Sequence, residues 1–223
     1  MIENEHINFS FITRYIRKLI NDDIKEMYSF AHNKDIPAAK PETTKLLSIL
    51  ASVKQPKNIL ELGTGIGCSA IILLRASKDA HIITVEKDEN NYNEALKMFE
   101  AEGLSDRITA LNADALETLE KLHHEKKKFD FIFLDSAKGQ YLDCYPYLTD
   151  MLETGGILIS DNVLYGGMVA NDELIQHRKR TIVKRLREYL KALHSDKTLD
   201  TVIVPIGDGV SVSTKKSEEI TDE

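Results

Sequence analysis

Residues 58–69 of this chain read NILELGTGIGCS, and the fold turns on this passage. Asn58–Leu62 is an apolar run of strand length, and Gly63, Gly65 and Gly67 follow it at once. Helical spacing then begins at Ser69 and runs to Ser77. The same texture repeats downstream. Short apolar runs recur at Ile82–Glu86, Ile108–Leu111, Phe129–Asp135 and Ile157–Asp161, separated by helical patterns at Asn91–Glu102, Asp114–His123 and Gln140–Leu152. Strands apolar on both faces that alternate with helices form a parallel sheet covered on both sides. A longer helix is expected over Asp172–Leu193. Thr201–Ile206, the turn Gly207-Asp208-Gly209 and Val210–Thr214 then read as an antiparallel hairpin added at the sheet edge. Together these patterns predict a doubly wound α/β fold of five parallel strands plus a terminal hairpin.

Upstream, Ile7, Phe11, Tyr15, Ile16, Leu19, Ile20, Ile24, Met27 and Tyr28 carry helical spacing, broken into two helices by Asn21-Asp22-Asp23. A loop covers His32–Lys40, and Pro41 suits the first turn of the next helix. No repeat, linker or low-complexity tract intervenes. The expected organisation is therefore an N-terminal helical appendage with a covering loop over 1–40, and one domain over 41–223. The tail from Lys215 is polar and expected to fray.

A chain of 223 residues, 42% hydrophobic and 29% charged, is long enough for a core and argues against disorder. Its longest apolar run, Ala70–Leu74, falls far short of the roughly 18 residues of a membrane span, so no membrane partner is expected. The N-terminus lacks the basic and apolar regions of a signal peptide. Two cysteines, Cys68 and Cys144, cannot make a disulfide framework, which fits a cytoplasmic location. A net charge of −7 excludes binding nucleic acid by bulk charge alone and leaves room for a local basic patch. The apolar faces of the N-terminal helices predict a homodimer.

In open α/β sheets the ligand sits outside the carboxyl ends of the strands. There the glycine loop lets the backbone approach a ligand closely. It reads G-x-G-x-G and lacks the last glycine of a dinucleotide fingerprint, because position 68 is Cys. A pyrophosphate wants uncharged amides at that helix start, whereas Glu61 just before it suits a cationic ligand. Glu86 ends the second strand, where an acid would accept hydrogen bonds from ribose hydroxyls. Asn112-Ala113-Asp114-Ala115 ends the third, placed for an adenine edge. Taken alone, the glycines could serve only a tight turn; acids at successive strand ends favour a ligand site. Here the sequence resembles the class I S-adenosylmethionine-dependent methyltransferases, with their Rossmann-like sheet and reversed terminal hairpin. The resemblance implies that Glu61, Gly63, Gly65, Gly67, Ser69, Glu86, Asp114 and Ala115 surround that cofactor.

The fourth strand ends in Asp135, with Lys138 three residues on, and the fifth ends in Asp161-Asn162. As parallel neighbours these strands bring two carboxylates and an amide oxygen together, hard ligands suited to Mg²⁺ or a similar ion. Near such a cation the ammonium form of Lys138 is disfavoured, so it could act as a general base. The passage FDFIFLDSAKGQYLDCYPYLTDMLETGGILISDNVLYGG (129–167) is similar to the metal-dependent O-methyltransferases that include the catechol and caffeoyl-coenzyme A enzymes. The likeness runs from about Lys34 to Thr214. It implies that Asp135, Asp161 and Asn162 bind the metal, that Lys138 takes the acceptor proton, and that Asp135 also faces the cofactor. It further implies that the loop Ile36–Lys40 reaches over the cofactor through Ala39. Cys68 departs from the tyrosine many members carry there.

An acceptor for this chemistry must present adjacent oxygens, as a small catechol does and as 5-hydroxyuridine does. His123–Lys128 lies at the amino edge of the sheet and reads as a solvated turn. Arg178, Lys179, Arg180, Lys184, Arg185 and Arg187 instead lie beside the loop Tyr165–Asn171 at the site's edge. With Ile182, Val183, Leu186 and Leu190 facing inward, six outward cations with few compensating acids could bind phosphates. DNVLYGGMVA followed by RKRTIVKRLREYL also resembles the bacterial branch that methylates 5-hydroxyuridine at the tRNA wobble position. A tRNA anticodon loop is thus an expected partner, its base already unpaired. An oxidoreductase would want the missing glycine at 68 and no metal set. A binding protein would leave Lys138 idle.

Overall fold

The computed structural model describes residues 9–217, so Ile7 and the tail beyond Ser217 lie outside the described residues. Its seven strands are β1 (Asn58–Leu62), β2 (His81–Glu86), β3 (Ile108–Asn112), β4 (Phe129–Leu134), β5 (Leu152–Ser160), β6 (Leu199–Val204) and β7 (Val210–Lys215). They form one sheet in the order β3-β2-β1-β4-β5-β7-β6. The first five are parallel, and β7 pairs antiparallel with both β5 and β6. The hairpin is therefore laid on with its second strand innermost.

Helices α1 (Phe9–Leu19), α2 (Asp22–Asn33), α3 (Pro41–Lys54), α4 (Cys68–Ala76) and α5 (Glu89–Ala101) precede β3. Next come α6 (Ala115–His124), α7 (Tyr141–Met151) and α8 (Arg180–Ser195). Successive strand residues point to opposite faces, so each strand feeds two cores. Leu60, Leu62, Ile132, Leu134 and Leu158 pack against α6, α7 and α8. Ile59, Ile82, Phe131, Phe133 and Ile159 pack against α3, α4 and α5. The N-terminal helices add a smaller cluster, Ile20 and Ile24 on Ile72, and leave Phe11, Tyr15 and Leu19 exposed. Arg17 fastens them to the domain through two 2.9 Å bonds to the buried Glu42. No described helix is long and apolar enough to cross a membrane.

Three local expectations change. The helix expected from Asp172 starts only at Arg180, after single 3₁₀ turns at Asp172–Leu174 and His177–Lys179. Between 172 and 179 only Leu174 and Ile175 are apolar, so no stripe exists to bury a helix against the sheet. β5 starts five residues earlier than expected, because Leu152 pairs with Phe129 before a register shift at the left-handed Gly155. Lys215 does not fray. It is the last residue of β7, and its Nζ donates to the carbonyls of Thr149 and Leu152 at 2.7 and 2.9 Å.

Candidate active site

A cavity of about 330 Å³ opens over the carboxyl ends of β1, β2, β3 and β4. Of the expected site residues, Ala39, Gly63, Gly65, Ser69, Glu86, Asp114, Ala115, Asp135, Lys138 and Asn162 line it. Glu61, Gly67 and Asp161 do not. Pro37, Ala38 and Ala39 form its roof on the α2–α3 loop.

The glycines serve different ends. Gly63 has φ +103°, and a Cβ there would lie 2.2 Å from the Asp135 carbonyl oxygen, so only glycine lets the loop pass the end of β4. Gly67 was expected at the cofactor and is instead a packing glycine, since its Cβ would meet the Phe99 ring of α5 at 2.3 Å. Glu86 ties the loop down: Oε2 accepts from Gly65 N and Oε1 from Asp88 N, each at 2.8 Å. A carboxylate has about four lone-pair positions, so both oxygens keep capacity towards the cavity. Asp114 caps α6 by accepting from Leu116 N at 2.9 Å and pairs with Lys87 at 3.0 Å, which holds its carboxyl below the usual range.

Glu61, expected beside the cofactor, lies wholly buried beneath the glycine loop. Thr84 Oγ1 donates to its Oε2 at 2.5 Å and stands 2.6 Å from Thr64 Oγ1. Its Oε1 meets no group at hydrogen-bonding geometry among the described residues. Burial pushes this carboxyl up to about 7, against the pull of the Ser69 and Thr84 hydroxyls. An acid whose pKa is raised by folding stabilises the native state below its unfolded value, and that contribution is lost as pH rises through the folded value. Glu61→Gln should therefore gain stability relative to the parent between pH about 4.5 and about 7. Thermal melts across that range check this; identical pH slopes for both proteins would show that Glu61 does not carry the linkage.

β4 and β5 run side by side with Leu134 opposite Ser160, so Asp135 and Asp161 emerge together. Asp161 N donates to the Leu134 carbonyl at 3.0 Å, and Tyr141 Oη bridges the Leu134 and Asp161 carbonyls at 3.1 Å each. Lys138 Nζ sits 2.6 Å from Asp135 Oδ1. Asp161 is fully buried, its Oδ1 accepts from Asn162 N at 2.7 Å, and its Oδ2 has no partner among the described residues. Burial and then the Asp135 charge push Asp161 up to about 7; burial also raises Asp135, which Lys138 pulls back down. No group of three His, Cys, Asp or Glu that could hold a metal occurs among the described residues; the residue after Asp161 is Asn162, which lines the cavity. Two carboxylates that repel one another, one with an orphaned oxygen, next to an asparagine residue are a set of residue types that suits a hard cation.

Asn162 and Tyr165 hold left-handed backbone, φ +57° and +47°, which asparagine tolerates and which costs a tyrosine roughly 1–2 kcal/mol. Strain of this kind collects at functional sites. The sequence reading missed Thr64, Thr84 and Tyr141. Thr84 was within reach, because strand alternation puts it on the same face as Glu86.

The basic segment proves less open than expected. Arg185 donates to the Gly139 carbonyl and pairs with Asp143; Arg187 donates to Val169 and pairs with Asp172; Lys184 lies 3.8 Å from Glu188. Asp143 and the carbonyls of Gly139 and Val169 are distant in sequence and Asp172 belongs to a turn, which hid their compensation; Glu188 lies one turn along the same helix. Lys179 rests over the Tyr165 ring at 5.3 Å. Arg178 and Arg180 have no acidic partner among the described residues.

A family model described as O-methyltransferase matches residues 15–216. Caffeoyl-CoA O-methyltransferase 1 of Eucalyptus globulus is 28% identical over 188 residues, 81% of this chain and 76% of that protein. The crystal structure of a candidate caffeoyl-CoA O-methyltransferase from Staphylococcus aureus covers 92% of this chain and 99% of its own at 29% identity, with a TM-score of 0.83. A Bacillus cereus O-methyltransferase in complex with SAH covers 92% and 97% at 24% identity and a TM-score of 0.79, a likeness of fold.

Proposed function

The chain belongs to the O-methyltransferase family, and from that premise we propose that it moves a methyl group from S-adenosylmethionine to a hydroxyl with a second oxygen beside it. A divalent cation assists, and 5-hydroxyuridine in a tRNA anticodon loop is the favoured acceptor. The observation that carries the reading is the convergence of Asp135, Lys138 and Asn162 at one end of the cavity, with the buried Asp161, whose carboxyl feels the Asp135 charge, at the neighbouring strand end.

Asp135, Asp161 and Asn162 would hold the cation, which would polarise the paired acceptor oxygens. Lys138 stands on the cavity wall, oriented by Asp135, and takes the hydroxyl proton. As the new O–CH₃ bond forms, the S–CH₃ bond breaks and leaves a neutral thioether. Glu86 and the glycine loop fix the donor, while Pro37, Ala38 and Ala39 keep water from it. Holding both partners at attack distance supplies much of the rate.

What supports tRNA is position. α8 packs on Lys138–Gln140, through Arg185 to the Gly139 carbonyl, and the exposed cations Arg178 and Arg180 stand at the start of that helix. A small catechol-type acceptor is the second reading, favoured by the internal pairing of Arg185 and Arg187. The test is methyl transfer from labelled S-adenosylmethionine, with Mg²⁺ or chelator, to tRNA bearing 5-hydroxyuridine and to a catechol in parallel. Chelator-sensitive labelling of tRNA is expected, falling at least tenfold when Arg178 and Arg180 are both changed to Ala, with catechol turnover spared. Labelling of catechol alone would establish the second reading; labelling that survives the chelator would remove the cation.

A further inference from the structure

The turn between β6 and β7 plays no part in the chemistry above, yet it grips the segment that begins with Asn162. Val163 N donates to the Gly209 carbonyl at 2.9 Å and Leu164 N to the Asp208 carbonyl at 3.0 Å. Gly166 N donates to Asp208 Oδ1 at 2.6 Å. The approach is close: a Cβ on Gly209 would lie 2.3 Å from Leu164 Cγ. Flanking and between the gripped amides lie two non-glycine residues with left-handed backbone, Asn162 and Tyr165, and Tyr165 carries Lys179 on its ring. The turn itself is stiffly mounted, because β7 pairs along β5 up to Ser160–Ser211. We propose that Asp208 is a positioning residue: it braces Asn162–Gly166 so that Asn162 faces the cavity and the acceptor-side wall keeps one shape.

This rests on the reading of that wall as the acceptor side. The brace is anchored in backbone amides, not in the cofactor half of the cavity, so the two halves respond separately. In Asp208→Ala the Gly166 amide loses its acceptor, and amides 163–166 should exchange with deuterium at least tenfold faster. KM for the acceptor that the parent enzyme uses should rise at least fivefold, and cofactor affinity by calorimetry should stay within twofold. Asp208→Asn keeps an oxygen at Oδ1 and should return both quantities to within threefold of the parent. That variant separates the hydrogen bond from the charge, which matters because Asp208 also faces Asp161. Unchanged exchange and KM in Asp208→Ala would overturn the proposal. So would equal losses of cofactor and acceptor, or an Asp208→Asn as impaired as the alanine variant. Exchange needs no substrate, so a parent enzyme that methylates neither tRNA nor catechol would refute the proposed function while the brace is still judged by its amides.

Discussion

Asp161→Ala should give a folded protein that binds S-adenosylmethionine and transfers its methyl group at least a thousandfold more slowly. A thousandfold is about 4 kcal/mol of transition-state stabilisation, a reasonable size for losing a hard ligand from a set of three. The fold should tolerate the change. Among the described residues the Asp161 carboxylate accepts only the Asn162 amide, whereas Tyr141 and Leu134 hold the backbone through groups that alanine keeps. Without a cation, removing a buried carboxyl with an orphaned oxygen relieves repulsion with Asp135, so the variant should melt no lower than the parent above pH 7. Calorimetry with the cofactor and single-turnover transfer decide the matter. If affinity for S-adenosylmethionine falls by the same factor as turnover, Asp161 serves the cofactor and the cation assignment fails.

Lys138→Met should cost between a hundredfold and ten thousandfold in kcat, the range for removing a general base, with cofactor affinity held within a few fold. Methionine matches the stem and cannot take a proton. It also removes the ion pair that draws the Asp135 carboxyl down, so a second variant is needed to separate the two roles. Lys138→Arg keeps a cation beside Asp135 and remains charged throughout the working range. Proton transfer predicts that arginine is as impaired as methionine. Recovery to within tenfold of the parent by arginine would make Lys138 an electrostatic partner of Asp135 and leave the base to another group.

The strand succession was legible because each apolar run is flanked by its own turn chemistry, and Asn58–Leu62 was placed to the residue. The strand-end rule and the family likeness together pointed to ten of the residues that line the cavity. What they could not tell was depth. Glu61 and Gly67 lie in the same motif as Gly63, yet the pleat turns Glu61 under the loop and Phe99 claims the space at Gly67. Motif spacing carries no information about which side of the backbone another helix will occupy. The basic segment misled for a related reason. Arg185 and Arg187 look unpaired in sequence because Asp143 and the carbonyls of Gly139 and Val169 arrive only with the tertiary fold.

The order of the sheet has a consequence for synthesis. A ribosome releases β5 and β6 before β7, yet β7 lies between them. Until Val210–Lys215 emerges, β5 offers a bare row of backbone donors and acceptors, the kind of edge that invites pairing with another chain. The cofactor half, from β1 to β4, can close earlier from contacts nearer in sequence, while the acceptor wall must wait for the loop closure that brings β7 home. A nascent chain would thus gain its place for the donor before it gains its place for the acceptor, and a chain ending short of Val210 would have an open sheet and an unheld wall.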